Sequence, residues 1–135
     1  MTASCPICAR GHPLDVLADL PASWITAPPA APLPGYACVV ARLHVIEPFE
    51  LDPPDRLAFW EDCMLAGRAL NSLFSPRKMN YEIHGNTIPH LHMHLYPRYA
   101  GDPYGTGPID GRATFHRSST DLAHMKRALV GAGAR

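Results

Sequence analysis

Alternation of histidine with apolar residues is the feature that most constrains how this chain can fold. The stretch reads His90-Leu91-His92-Met93-His94-Leu95. Successive side chains of a β-strand point to opposite faces, so the histidines would line one face while the apolar residues pack into a core. A helix would scatter the rings around its circumference. Pro89 and Pro97 lie on either side of the run, where prolines commonly mark the ends of a strand. The pattern predicts a strand with imidazoles along one face.

A row of imidazoles can take part in catalysis or metal binding, because imidazole serves as nucleophile, general acid, general base and zinc ligand near neutral pH. The alternative without a functional role is a histidine-rich face exposed to solvent. The surrounding residues argue against it. The histidines follow Gly85-Asn86-Thr87-Ile88-Pro89 and precede Pro97-Arg98, and an upstream strand runs from Gly35 to His44. These motifs resemble the histidine triad (HIT) superfamily of nucleotide hydrolases and transferases, over roughly residues 5–103.

The rest of the chain predicts an α+β layout in one domain spanning 1–135. Strands are expected at 24–26, 36–43, 79–84 and 90–96, the last two as a hairpin with a Gly-Asn turn. The stretch 14–20 is ambiguous between strand and helical turn, and 28–34 is a proline-rich loop. Helices are expected at 53–74 and, with Ser119 or Thr120 as the N-cap, up to 131, after a glycine-rich loop at 101–111. The resemblance implies a five-stranded antiparallel sheet with two main helices.

Composition excludes several classes of function. Lysine and arginine together balance aspartate and glutamate at 12 each, so the sequence predicts neither a nucleic-acid partner nor a membrane partner. No apolar run approaches the roughly eighteen residues of a membrane span. The N-terminus lacks the pattern of a signal peptide, which favours a cytoplasmic protein. In that compartment the four cysteines of the chain would be thiols or metal ligands and not disulfides.

Cys5-Pro6-Ile7-Cys8 forms a Cys-x2-Cys knuckle, which can supply half of a tetrahedral zinc site. A redox pair is less consistent with it, since that function needs a helix N-terminus after a strand. Two unrelated cysteines in a loose terminus are the simpler alternative. Resemblance to zinc-binding HIT proteins implies that the ligands are Cys5, Cys8, His44 and His90. Four protein ligands would close the coordination sphere, so such a zinc would be structural.

The resemblance also implies a role for each residue of the motif. His92 would be the nucleophile that attacks the α-phosphorus of a nucleotide derivative, giving a covalent nucleotidyl-histidine that water or another acceptor resolves. The other candidate catalytic residues are His94 and His90. Candidate substrate-binding residues are Asn80, Gly85, Asn86, Thr87 and Arg98. Dinucleoside polyphosphates and nucleoside phosphoramidates share the same α-phosphate, so the motif predicts the reaction class and not the leaving group.

Two departures from the family pattern concern substrate binding and the triad. Many members carry an acidic residue or asparagine that binds the ribose hydroxyls, where this chain has Ala27-Pro28-Pro29-Ala30. Tyr36 stands where some members have a histidine.

Two other functions remain open on sequence alone. One is a metal-dependent hydrolase with a catalytic zinc held by the histidines, and the other is a nucleotide-binding protein without turnover.

The predicted helix 53–74 carries more apolar residues than one sheet face needs. They are Leu57, Phe59, Trp60, Met64, Leu65, Leu70, Leu73 and Phe74. We expect the stripe that begins with Leu57, Trp60 and Met64 to contribute to the core. The resemblance implies a homodimer in which two sheets join into one of ten strands, and the surplus apolar surface would be buried there. The alternative is that the whole arc packs within one subunit.

Overall fold

A computed structural model describes residues 5–112 and 115–135. Its helices are α1 (Pro6–Arg10), α2 (Pro53–Phe74) and α3 (Ser119–Gly131), with a 3-10 turn at Pro48–Glu50. Its strands are β1 (Val16–Leu20), β2 (Ser23–Thr26), β3 (Ala30–Ala31), β4 (Ala37–Ala41), β5 (Lys78–Ile83), β6 (His92–Arg98) and β7 (Phe115–His116). Within the described ranges, no helix combines the length and the apolar character that crossing a bilayer requires.

Five strands form one antiparallel sheet in the order β1-β2-β4-β6-β5, which confirms the predicted α+β fold. The histidine-bearing strand β6 lies between β4 and β5. Cys38 of β4 and Glu82 of β5 are both directly opposite His94 in the register. The polar face of β6 therefore receives side chains from both neighbouring strands.

The core lies between the sheet and the two longer helices. Leu91, Met93 and Leu95 are each no more than 2% exposed and pack in the main apolar cluster, as the alternation predicted. Residues 84–91 connect β5 to the strand that carries the triad. The predicted antiparallel pairing is therefore correct, but the connection is longer than a Gly-Asn turn. The stretch 14–20, ambiguous in sequence, contributes strand β1.

Helix α2 has the predicted bounds but presents a different face to the core. Asp52 is its N-cap and prolines occupy its first turn. Leu57 and Trp60 are 61% and 50% exposed, so the prediction that they face the core was wrong, whereas Met64 of the same stripe packs against the core. The buried face instead contains Phe59, Cys63, Ala66 and Leu70. Small side chains at 63 and 66 allow the helix to approach the sheet closely, and a search for large apolar residues overlooks them.

Two other local expectations are refined. Helix α3 starts one residue earlier than expected, because Ser118 caps it: the Ser118 hydroxyl accepts from the Asp121 N–H and the Asp121 carboxylate accepts from the Ser118 N–H. The proline-rich loop 28–34 contains strand β3, which pairs with β7. The buried Arg117 guanidinium donates to the Pro28 carbonyl and holds this loop in place.

Candidate active site and metal cluster

A pocket of about 430 Å³ opens on the polar side of β5 and β6. His92 and His94 of β6 line the pocket, together with Tyr36, which immediately precedes β4. The connection between β5 and β6 supplies the opposite wall, and the glycine-rich loop contributes residues 109–111. The pocket is therefore bounded by the segments that the sequence motifs had singled out.

His92 is held in one tautomer by the backbone. Its Nδ1 lies 2.6 Å from the His90 carbonyl oxygen. A carbonyl only accepts hydrogen bonds, so Nδ1 carries a proton, and in the neutral ring Nε2 keeps its lone pair. Because His92 lines the pocket, this arrangement supplies an unprotonated imidazole nitrogen there. That is the state a nucleophilic or metal-binding histidine needs.

His94 is a neutral group packed among aromatic rings. Burial, together with the neighbouring His92 and His84, lowers the pKa of His94 to about 4. Its ring stacks on Tyr36 and Tyr96, and the Tyr36 hydroxyl lies 2.8 Å from His94 Nδ1. Burial raises the pKa of Tyr36, so the hydroxyl stays protonated and can donate to that nitrogen. His94 then carries its proton on Nε2.

His90 belongs to a different site. It is 1% exposed, does not line the pocket, and lies immediately before β6. Its Nε2 donates to the Ala41 carbonyl at 2.6 Å, and its Nδ1 lies 3.4 Å from Cys5 Sγ. Burial lowers the pKa of His90, which favours a neutral ring with an available Nδ1 lone pair. The three histidines that alternate in sequence are thus divided between a pocket and a buried cluster.

Cys5, Cys8, His44 and His90 bring their ligand atoms together as the sequence predicted. Cys8 Sγ lies 3.2 Å from His44 Nδ1 and 3.6 Å from His90 Nδ1, and the two Nδ1 atoms are 3.2 Å apart. Ligands on a tetrahedral zinc, with bonds of about 2.3 Å to sulfur and 2.0–2.1 Å to nitrogen, have edges of roughly 3.3–3.8 Å. The cluster is therefore compatible with zinc in both donor type and spacing.

The knuckle and its surroundings orient these four donors. Cys5 caps the short helix α1 by accepting from the Cys8 N–H, and Gly11 ends that helix with φ 84°. Burial and the neighbouring Cys5 thiol raise the pKa of Cys8, whereas a bound cation would stabilise its thiolate. The Ala41 carbonyl orients the His90 ring from the side opposite the cluster.

The predicted substrate-binding residues separate into two groups. Gly85, Asn86 and Thr87 line the pocket, and Gly85 has φ 92°, a conformation that favours glycine. Asn80 and Arg98 do not line it. The Arg98 guanidinium, 8% exposed as a residue, instead binds Asp102, Asn80 and two backbone carbonyls of the 101–111 loop.

Several pocket residues were missed in the sequence. Glu82 and His84 line the pocket together, and His84 Nε2 lies 2.8 Å from Glu82 Oε1. The alternation Asn80, Glu82, His84 within the predicted strand would have indicated them, since polar residues two apart share a face. Cys38 was also missed as a neighbour of the triad: its sulfur lies within 4.8 Å of ring nitrogens of His92 and His94. Burial raises the pKa of Cys38 to about 12, so it is a protonated thiol.

Comparison with known proteins agrees with this geometry. The sequence matches the HIT domain family over residues 13–101. A histidine triad protein from Bradyrhizobium japonicum has a similar structure (TM-score 0.77, 24% identity, 86% of this chain and 87% of that one). A histidine triad protein from Marinobacter aquaeolei VT8 gives a TM-score of 0.75 at 24% identity, with 87% and 86% covered.

A Zn-bound histidine triad family protein from Mycobacterium smegmatis is also similar (TM-score 0.68, 18% identity, 97% and 96% covered). At these identities the structural likeness establishes the fold. No curated protein sequence gives a significant match. The family match spans well over half of the 135 residues. The chain therefore belongs to the HIT domain family, a membership that supports a nucleotide-binding or hydrolase function.

Proposed function

We propose that this protein is a nucleotide hydrolase or nucleotidyltransferase that works through a covalent nucleotidyl-histidine on His92. The observation that carries the proposal is the 2.6 Å hydrogen bond from His92 Nδ1 to the His90 carbonyl. In the neutral ring it leaves the lone pair on Nε2, on a side chain that lines the pocket. A nucleophile must keep its lone pair free and be held in one orientation, and this bond achieves both.

The pocket offers hydrogen-bond donors for the charge that develops during the reaction. His92 Nε2 would attack the α-phosphorus of a nucleotide derivative, and the bond from phosphorus to the leaving group would break. Neutral His94 would donate from Nε2 to a phosphate oxygen, and the Thr87 hydroxyl and Asn86 amide are further donors in the pocket wall. In the second step, water or another acceptor would displace His92 from the phosphorus.

We infer that Cys5, Cys8, His44 and His90 hold a structural zinc. The metal would supply a cross-link between the N-terminal knuckle and the segment that leads into β6. His90 takes part through its ring, while its carbonyl fixes His92. The cluster would thereby hold the nucleophile in place without contacting the substrate. The Zn-bound family member from Mycobacterium smegmatis supports this inference.

The metal-hydrolase alternative would require Cys38, His92 and His94 to hold a catalytic ion. Two features weigh against it. His94 Nδ1 is engaged by the Tyr36 hydroxyl, and the buried cluster already provides a closed set of four ligands. A nucleotide-binding protein without turnover would keep the pocket, so it is distinguished from an enzyme by kinetics alone.

We further propose that the protein is a cytoplasmic homodimer. Leu57, Trp60 and Leu73 of α2 are 61%, 50% and 41% exposed, which leaves part of the predicted arc outside the core. A two-fold contact would bury this surface on both copies. None of the four cysteines forms a disulfide, which is consistent with a reducing compartment.

Substitution of the nucleophile tests the proposed activity. We expect His92→Ala to lower kcat about a thousandfold or more on any nucleotide substrate that the protein turns over. The matched control is His124→Ala, which removes an exposed histidine from α3 outside the pocket and should leave kcat unchanged. If His92→Ala keeps more than roughly a tenth of the original kcat, the covalent mechanism is wrong.

A further inference from the structure

Glu82 and His84 form a carboxylate–imidazole pair in the wall of the pocket that His92 and His94 line. Glu82 Oε1 lies 2.8 Å from His84 Nε2, and both residues line the same pocket as His92 and His94. The His84 ring centroid is 5.7 Å from that of His94. Neither residue belongs to the His-x-His-x-His motif. The pair therefore adds ionisable groups to the wall of the pocket that contains His92 and His94.

Strand register explains why the pair faces the triad. Glu82 on β5 is directly opposite His94 on β6, and His84 follows two residues later. The Glu82 side chain is 21% exposed, whereas that of His84 is 55% exposed. The carboxylate is thus the more enclosed partner, and the imidazole is the one open to solvent and ligand. Within the described residues, His84 Nδ1 has no hydrogen-bond partner.

The proposed reaction needs an acid for its leaving group, and the other pocket residues do not provide one. His94 is neutral because burial lowers its pKa to about 4. Burial raises the pKa of Tyr96 to about 12 and also raises that of Tyr36. Hydrogen bonds from Arg112 lower the pKa of Asp110, so it remains a carboxylate. Among the described titratable residues of the pocket, the Glu82–His84 pair is what remains besides His92 itself.

We propose that His84, paired with Glu82, protonates the leaving group and then activates the acceptor. The assignment rests on the proposed nucleotidyl transfer to His92. A carboxylate on one imidazole nitrogen stabilises the protonated ring and orients its other nitrogen. With Nε2 held by Glu82, Nδ1 is the nitrogen that faces the substrate. Glu82 acts as a positioning residue.

The proton balance of both half-reactions is simple. In the first, the His92 Nε2 lone pair forms a bond to phosphorus, the bond from phosphorus to the leaving atom breaks, and that atom takes the proton from His84 Nδ1. In the second, neutral His84 Nδ1 removes a proton from water or an acceptor hydroxyl as its oxygen attacks phosphorus and His92 departs. His84 returns to its protonated form, so no other acid or base is needed.

The assignment predicts that the pair matters most for leaving groups that must be protonated. The substrates to compare are the benzylamine amidate and the para-nitrophenyl ester of adenosine monophosphate, measured as release of the leaving group in the first turnover. An amine departs as a neutral molecule, whereas para-nitrophenolate departs as an anion. We expect His84→Asn to slow the amidate about a hundredfold or more, in the range of general acid catalysis, and the ester less than about fivefold.

Glu82→Gln provides a second, independent variant. It keeps the shape of the side chain and removes the charge, so it should show the same selectivity for the amidate with a smaller loss. His124→Asn is the control and should leave both rates unchanged. Because the His84 side chain is 55% exposed, its substitution should leave the melting temperature almost unchanged.

The outcomes separate this assignment from the proposed function. Equal losses for both substrates, or no loss, in His84→Asn and Glu82→Gln would show that the pair does not supply the proton. If His92→Ala abolishes activity while the His84 variants are unaffected, the proposed function stands and the assignment of His84 is overturned. Inactivity of the unmodified protein toward both substrates would overturn the proposed function, and the assignment with it.

Discussion

Arg98 connects the sheet to the loop that completes the pocket, and its removal should be costly. The guanidinium donates five hydrogen bonds: two to the Asp102 carboxylate, one to the Asn80 side chain, and one each to the carbonyls of Gly105 and Gly107. The side chains of Arg98 and Asp102 are 9% and 4% exposed. Removing one partner of such a buried pair leaves an uncompensated charge and costs about 3–5 kcal/mol.

We therefore expect Arg98→Ala to lower the free energy of unfolding by about 3–5 kcal/mol, and Arg98→Lys by about half of that, because an ammonium cannot reach all of these acceptors. Urea titration followed by tryptophan fluorescence gives this quantity. The matched control is Arg112→Ala, which removes an exposed arginine, 85% accessible, from its pair with Asp110 in the same loop. Because that pair is solvent-exposed, Arg112→Ala should leave the free energy of unfolding almost unchanged.

The pH dependence of the Arg98 variant gives an independent check. The Arg98 hydrogen bond, followed by the backbone N–H groups of Tyr99 and Tyr104, lowers the pKa of Asp102 to about 2. A depressed carboxyl pKa contributes stability that is present above the unfolded value of about 3.9 and is lost as pH falls through the folded value. The stability difference should be constant from pH 7 to 5 and shrink toward pH 2. A loss below about 1 kcal/mol at pH 7 would refute the reasoning.

Three further perturbations test the cluster, the triad and the assembly. Cys5→Ser should abolish stoichiometric zinc binding, with a large fall in melting temperature and a smaller effect on kcat. Cys63→Ser, at another buried thiol, should keep the metal, and equal zinc binding by both variants would contradict the ligand set. Tyr36→Phe removes the donor to His94 Nδ1 and should reduce kcat about tenfold with little change in KM, and an unchanged kcat would exclude this contact from catalysis. Trp60→Glu should dissociate the dimer in sedimentation, unlike Lys126→Glu at an exposed position of α3, and an unmodified protein at the 14.8 kDa monomer mass would refute the assembly.

Features fixed by local periodicity were predictable from the sequence. The alternation in β6 placed Leu91, Met93 and Leu95 in the core, and the Asp-Pro-Pro start of α2 defined its first turn. The Cys-x2-Cys spacing and the family pattern together indicated the four residues of the buried cluster. Neighbouring residues carry the information for β6, for α2 and for Cys5 with Cys8, whereas His44 and His90 came from the family resemblance.

Contacts between distant segments were not predictable in the same way. Arg98 was expected to contact substrate phosphates, yet Asp102 and two carbonyls of the folded-back loop surround it. His90 alternates with His92 in sequence, but the knuckle approaches from the N-terminus and separates their environments. The exposure of Leu57 and Trp60 depends on which side of α2 meets the sheet, and small residues at 63 and 66 decide it.

Direct detection of the covalent intermediate tests the central claim. The protein is mixed rapidly with an adenylylated substrate, quenched at alkaline pH, where a phosphoramidate on histidine persists, and digested for mass spectrometry. We expect one adenylyl group on the peptide that contains His92, and none in His92→Ala. Turnover without any adduct, accompanied by inversion of configuration at a chiral α-phosphorus, would show direct displacement by water and contradict the account.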